Sequence, residues 1–221
     1  MKSLGRYRYG YTLALVTAVA ILAVLAPDEQ VSQASIAAML GLILFVVTVT
    51  GNSGQTYKRS VGSVAVLVIP AIFVLTLFGN AGEWVPNALA SVLIVATVIE
   101  LVRGAVRMSR RQGVTGQTIA AGLAIYLLIG IFFVSVTGVA ADLSDQPYFT
   151  DGREATLSER AYFSYTTMTT TGFGDPTAAT RAGKSLAVLE MLIGQIYLVT
   201  VIALLVSRAR RPDAPPERPV E

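Results

Sequence analysis

The run TTMTTTGFGDP, Thr166 to Pro176, is small and polar in a chain whose residues are 53% hydrophobic, and it stands just before the last long apolar segment. Glycine takes positive φ freely. Gly172 and Gly174, on either side of Phe173, therefore let alternate residues point successive carbonyls the same way. A column of carbonyls aimed at one axis replaces the water shell of a dehydrated cation. Non-helical backbone at membrane depth is tolerated only where it is buried in protein or lines a water-filled path. The residues before the run, Leu157–Thr170, read as a short helix with Ser158 as N-cap and Glu159 in the first turn. Such a helix turns its negative C-terminal end toward the run, which stabilises a cation and not an anion.

Working outward, the flanks are apolar. Only 14% of the 221 residues are charged, against about a quarter in a soluble domain, and mean hydropathy is +0.62. Crossing about 30 Å of hydrocarbon takes roughly 20 residues. The spans expected are Tyr11–Ala26, Ala34–Thr50, Val61–Phe78, Val85–Val102, Thr118–Ala140 and Ser185–Val206, with the polar stretch Ala141–Lys184 between the last two.

The connecting loops alternate in charge. The N-terminus carries Lys2, Arg6 and Arg8, the second loop Lys58 and Arg59, and the fourth Arg103, Arg107, Arg110 and Arg111, while the first and third loops hold no base. Arg208, Arg210 and Arg211 follow the last span. The positive-inside rule then predicts a multi-pass protein of the cell membrane with both termini cytoplasmic and Ala141–Lys184 external. The first span follows basic residues as a secretory signal does, but its apolar core is long for one, and it is expected to remain. The Pro-rich, charged tail at 211–221 is expected to be disordered.

Composition removes much chemistry. With no Cys and no His, there is no disulfide, no thiolate or imidazole metal site and no Ser-His-Asp triad. The expectation is a chain without enzymatic activity or cofactor. A net charge of +3, clustered at segment ends, does not argue for nucleic acid.

The stretch AYFSYTTMTTTGFGD resembles the pore helix and signature filter, T-x-G-[YF]-G-D, of the tetrameric potassium channels. Thr170, Gly172, Phe173, Gly174 and Asp175 match. Gly183 stands where those channels often begin the inner helix, and Gly194 stands at their usual glycine hinge. The resemblance covers about Gln117–Arg210. It implies an all-α membrane protein: six transmembrane helices with a re-entrant pore helix and selectivity filter between the fifth and sixth. Residues 1–116 would form a four-helix N-terminal domain and 117–210 the pore domain. By the same resemblance, K+ would be bound by the carbonyls of Thr170, Thr171, Gly172 and Phe173 and by the Thr170 hydroxyl, with Gly174 completing the filter. Phe173 would brace the filter with its ring turned from the pore. Tyr162 and Phe163 occupy the positions of the aromatic cuff, and Tyr162 would bond to Asp175. One chain carries one pore loop, so a closed ring of carbonyls implies a homotetramer in a lipid bilayer.

Two residues depart from the family pattern. Thr171 replaces a Val or Ile; its hydroxyl needs a partner, for which Thr166 or Thr167 is available. Phe173 replaces the commoner Tyr. Both changes loosen the filter's support more than they alter its carbonyls. A non-selective monovalent cation channel is therefore the alternative to a potassium-selective one. Leu198, Ile202 and Val206 fall on one helical face, where a ring of side chains closes a path by dewetting. Glu190, a carboxyl at membrane depth, is expected behind the filter, bonded to pore-helix hydroxyls or to Lys184. A voltage-gated channel is the other alternative. However, the fourth span holds Glu100 as its one ionisable residue before Arg103, Arg107 and Arg110 at its inner end, which argues against a conventional voltage sensor.

Overall fold

The computed structural model describes residues 9–25 and 84–209. They form five helices: α1 (Tyr9–Leu25), α2 (Trp84–Gln112), α3 (Gly116–Asp142), α4 (Leu157–Met168) and α5 (Arg181–Ala209). The spans expected at Ala34–Thr50 and Val61–Phe78, and the tail at 211–221, lie outside the described residues. Three of the described helices, α2, α3 and α5, are long and apolar enough to cross a membrane.

α3 is the hub, in contact with each of the other four helices. Its buried positions are mostly small or branched: Ala120, Ala121, Ala124, Ile125, Leu128, Ile131 and Val134. Small residues let apolar helices approach closely where no hydrophobic effect pushes them together. Two glycines make that approach specific. The Tyr165 ring of α4 occupies the space a Cβ on Gly130 would take. At Gly138 that space is filled by the Arg160 guanidinium of α4 and the Asn87 amide of α2. Asn87 Nδ2 donates to Asp142 Oδ2 at 3.0 Å, so the start of α2, the end of α3 and the approach to α4 share one face of the molecule.

α2 continues ten residues beyond the expected end at Val102. Arginine is a good helix former, and Arg110 and Arg111 in the last turn complement the negative helix end. The stop is Gly113, at φ +73°, whose amide donates to Ser109 O at 3.1 Å. Within α2, the buried Glu100 pairs with Arg103 at 3.2 Å. Thr115 then caps α3 in a reciprocal exchange with Thr118.

The N-cap of α4 is Thr156, not Ser158: Thr156 Oγ1 accepts from Glu159 N at 3.3 Å. Ser158 lies inside the first turn and donates to the Val24 carbonyl at 2.5 Å. It thereby satisfies one of the acceptors left open at the end of α1. α4 also ends at Met168 rather than Thr170, because the threonine hydroxyls compete for its last carbonyls: Thr169 Oγ1 donates to Tyr165 O at 2.6 Å.

The segment between α3 and α4 carries a small core of its own. Tyr148, Phe149, Phe163 and Ala178 are buried together, with the Tyr148–Phe149 and Phe149–Phe163 ring pairs edge-to-face at 5.1 and 5.5 Å. An isolated antiparallel bridge, Phe149 with Ala178, holds the chain after the GFG run to the chain before α4. Thr150 N donates to Thr177 O at 2.9 Å, and Ala179 N to Tyr148 O at 2.8 Å.

Candidate functional site

The site is built on the C-terminal end of α4. Three amides fold back on its last carbonyls: Thr170 N on Thr167 O at 3.0 Å, and Thr171 N and Gly172 N on Thr166 O at 2.9 and 3.1 Å. The run thus spends its first three backbone donors on the helix that precedes it. Among the described residues, no hydrogen bond takes up the carbonyls of Thr170, Thr171, Gly172 or Phe173. Positive φ recurs at every second residue: Thr170 at +59°, Gly172 at +52° and Gly174 at +85°. Alternating handedness of this kind keeps a ribbon extended and sets successive carbonyls on one side. Around Gly172 and Gly174 nothing lies within 4 Å of where a Cβ would be, so glycine is needed there for its dihedral and not for space. Thr170, a β-branched residue, holds the same region at a cost of about 1–3 kcal/mol. Its hydroxyl donates to Thr169 O at 2.6 Å, which leaves the oxygen's lone pairs free.

The side chains named in the sequence divide between two faces of α4. Tyr162 stands beside the run. Its ring stacks on Phe173 at 6.2 Å and 10°, and its hydroxyl donates to Asp175 Oδ1 at 3.1 Å, the expected contact. Phe163 is not brought to Phe173. One residue on, it faces the outer core with Tyr148 and Phe149. Thr166 Oγ1 donates within its own helix, to Tyr162 O and Phe163 O, and Thr167 contributes its carbonyl. Neither supplies the partner of Thr171, whose hydroxyl pairs with Thr169 Oγ1 at 2.9 Å.

Behind α4 stands α5. Glu190 is 1% exposed and meets the hydroxyl of Ser164, which also reaches Gly130 O on α3 at 3.0 Å. The partner is therefore a hydroxyl of α4, and not Lys184. A hydroxyl has one proton for these two oxygens, so the relay from α5 through α4 to α3 closes when the carboxyl brings the other. Four residues later a Cβ on Gly194 would lie 2.6 Å from Met168 Cγ and 3.0 Å from Met168 O. This glycine lets α5 lie against the last turn of α4. Lower on α5, Tyr197 donates to Gly122 O at 2.8 Å and stacks on Tyr126.

The remainder of α5 is unusually bare for an apolar helix. Of its most apolar 18-residue stretch, 11% is buried, against 56% for that of α3. Val188, Leu192, Ile196, Val199 and Ile202 are all exposed. Leu198 is half-buried and Ile202, one turn on, is open; the side chain of Val206 lies outside what is described. Ahead of α4, Arg153 bonds Asp151 Oδ2 at 2.6 Å and Glu159 Oε2 at 2.9 Å. Slight desolvation of Asp151 is outweighed by those bonds and the charge of Arg153, and its carboxyl sits below the usual range.

The sequence reading passed over Ser164, Met168, Tyr148 and Phe149. Ser164 and Met168 fall on the buried face of α4 at a four-residue spacing, a signal the sequence does contain. Tyr148 and Phe149 sit in a stretch without periodicity and left none.

Residues 121–211, from the first half of α3 through α5, match the ion-channel family model Ion_trans_2. No curated protein and no solved structure matches the chain. The matched segment holds the run, α4 and two of the membrane-length helices, which supports an ion channel embedded in a membrane.

Proposed function

We propose that the chain is a potassium-selective channel of the cell membrane. In this reading six helices span the bilayer with both termini in the cytoplasm, and α4 is re-entrant. Four copies place Thr170–Gly174 around one axis, and K+ sheds its water against the carbonyls of Thr170, Thr171, Gly172 and Phe173. The observation that carries the reading is the alternation of positive φ at Thr170, Gly172 and Gly174, in a run whose first three amides are bound to α4 and whose carbonyls from Thr170 to Phe173 are open. A fourfold arrangement also gives the bare face of α5 a partner, with Ile202 and Val206 as the narrow point below the run and Gly194, at the hinge position of the resemblance, lying against Met168. Conduction is passive and not strongly voltage-dependent, since α2 carries its arginines at one end and Arg103 is paired within its own helix.

A non-selective monovalent cation channel is the second reading. It is favoured by one contact: Thr171 turns its hydroxyl to Thr169 instead of bracing the run against α4.

The test is reconstitution of the purified protein into planar bilayers, with currents measured in K+, Na+ and Rb+ across a voltage range. A reversal potential that follows the K+ gradient supports the reading. No shift on exchanging K+ for Na+ establishes the non-selective alternative, and absence of any cation current rejects both.

A further inference from the structure

At the end of α3 away from the run, the three long helices leave a cavity of about 350 Å³, within the size range of small-ligand sites. Its walls are Val102 and Val106 of α2, Ile125 of α3, and Val201 and Leu204 of α5. The one aromatic hydroxyl in the lining, on Tyr197, is already given to Gly122 O; beside the small hydroxyls of Ser109 and Thr118 an occupant meets mainly hydrocarbon. The rim differs. Arg110, from the last turn of α2, lines the mouth beside Thr118, and Arg111 follows it; both arginines are exposed. They end a series with Arg103 and Arg107 in which Arg103 is engaged by Glu100. Fixed positive charge therefore gathers at the mouth of an apolar slot.

We propose that this cavity binds one acyl chain of an anionic phospholipid, with the lipid phosphate held at Arg110. Both halves of the site must be matched at once. A zwitterionic lipid fills the slot but brings its own cation to the rim. Inorganic phosphate matches the rim and leaves the slot empty. Basic pockets between membrane helices on the cytoplasmic side favour anionic headgroups for this reason. Val201 and Leu204 flank Ile202 on α5, so a bound chain braces the segment assigned above to the narrow point. The inference rests on the channel reading for its membrane setting and for the leaflet that Arg110 faces.

The experiment is native mass spectrometry of the detergent-purified full chain supplied with equal phosphatidylglycerol and phosphatidylcholine. Phosphatidylglycerol is retained in preference. Arg110→Gln lowers its retention about fivefold, the effect of one arginine at a membrane surface, and leaves phosphatidylcholine unchanged. Ala105→Phe, which fills the slot, lowers both lipids, and added inorganic phosphate displaces neither. Equal retention of the two lipids, retention unaffected by Arg110→Gln, or displacement by phosphate overturns the proposal. A slot taken by another part of the chain or by a neighbouring copy gives no retention and does the same. The mass of the assembly in each spectrum shows whether a variant has folded; if Ala105→Phe has not, the Arg110→Gln and phosphate arms decide. Conduction is not read here. Retention by a chain that passes no K+ sinks the channel reading alone, and a conducting chain that retains no phosphatidylglycerol sinks this proposal alone.

Discussion

Replacing Gly194 by Ala separates two accounts of that glycine. As a hinge it is wanted for flexibility, and an alanine there leaves the resting packing intact. The geometry gives a different reason. The added methyl would fall 2.6 Å from Met168 Cγ and 3.0 Å from Met168 O, and Met168 is completely buried. The thioether side chain has room to adjust only by displacing its own neighbours, and the carbonyl, at the end of α4, cannot rotate away. α5 must therefore back off the last turn of α4. Overpacking of this kind costs about 1–3 kcal/mol per chain, which for a chain of this length lowers the apparent thermal midpoint by roughly 2–12 °C. Fluorescence-detected gel filtration after heating reads that midpoint. Met168→Ala in the same chain removes Cγ but keeps the carbonyl, so the double variant should be less damaged than the sum of the two single variants, with a coupling of about 1 kcal/mol. The last carbonyls of α4 also hold the amides of Thr170–Gly172, so the single variant should change the K+/Na+ ratio as well as stability. A midpoint within about one degree of the native protein, together with strict additivity in the double variant, would refute the packing argument and leave the hinge.

Two further substitutions test the site. Glu190→Gln keeps a donor and an acceptor against Ser164 and should stay near the native thermal midpoint; Glu190→Ala strands the relay and should cost about 1–3 kcal/mol. Equal damage from both, measured in the same heating assay, would reject the hydrogen-bond account of Glu190. Thr171→Val removes the hydroxyl paired with Thr169 and should raise the K+/Na+ permeability ratio in reversal-potential measurements; a ratio that stays the same or falls removes Thr171 as the residue limiting selectivity.

The sequence made the candidate site legible because its demands are local. Two glycines one residue apart, a threonine-rich approach and an apolar segment on either side already specify a non-helical run between two membrane-length helices. What it left open depends on contacts between elements. Thr156 and Ser158 offer the same hydroxyl chemistry two residues apart, and the choice of cap follows from Ser158 being drawn to Val24 at the end of α1. The arginines after Val102 read as a loop because they are polar, yet they extend α2, and Gly113 is the true stop. Tyr162 and Phe163 looked alike as neighbours of the run. A turn of about 100° between successive helical residues sends one to Phe173 and the other to the outer core, whose members Tyr148 and Phe149 have no periodicity to announce them. Glu190 was recognisable as a buried carboxyl; Ser164 as its partner, with Gly130 beyond, needed three helices in place.

The bound amides of Thr170–Gly172 and the open carbonyls of Thr170–Phe173 have a consequence for how the protein is put together. Each copy of the run leaves four carbonyl oxygens open while its first three amides are turned back on α4, so in the proposed tetramer four copies facing one another bring like dipole ends toward a common line. Among the described residues of one chain, no hydrogen-bond donor takes up those carbonyls. The permeant cation must do so, which makes it part of the scaffold as well as the cargo: the pathway is held at its working width by the traffic it carries, and an empty one is under strain to open or collapse.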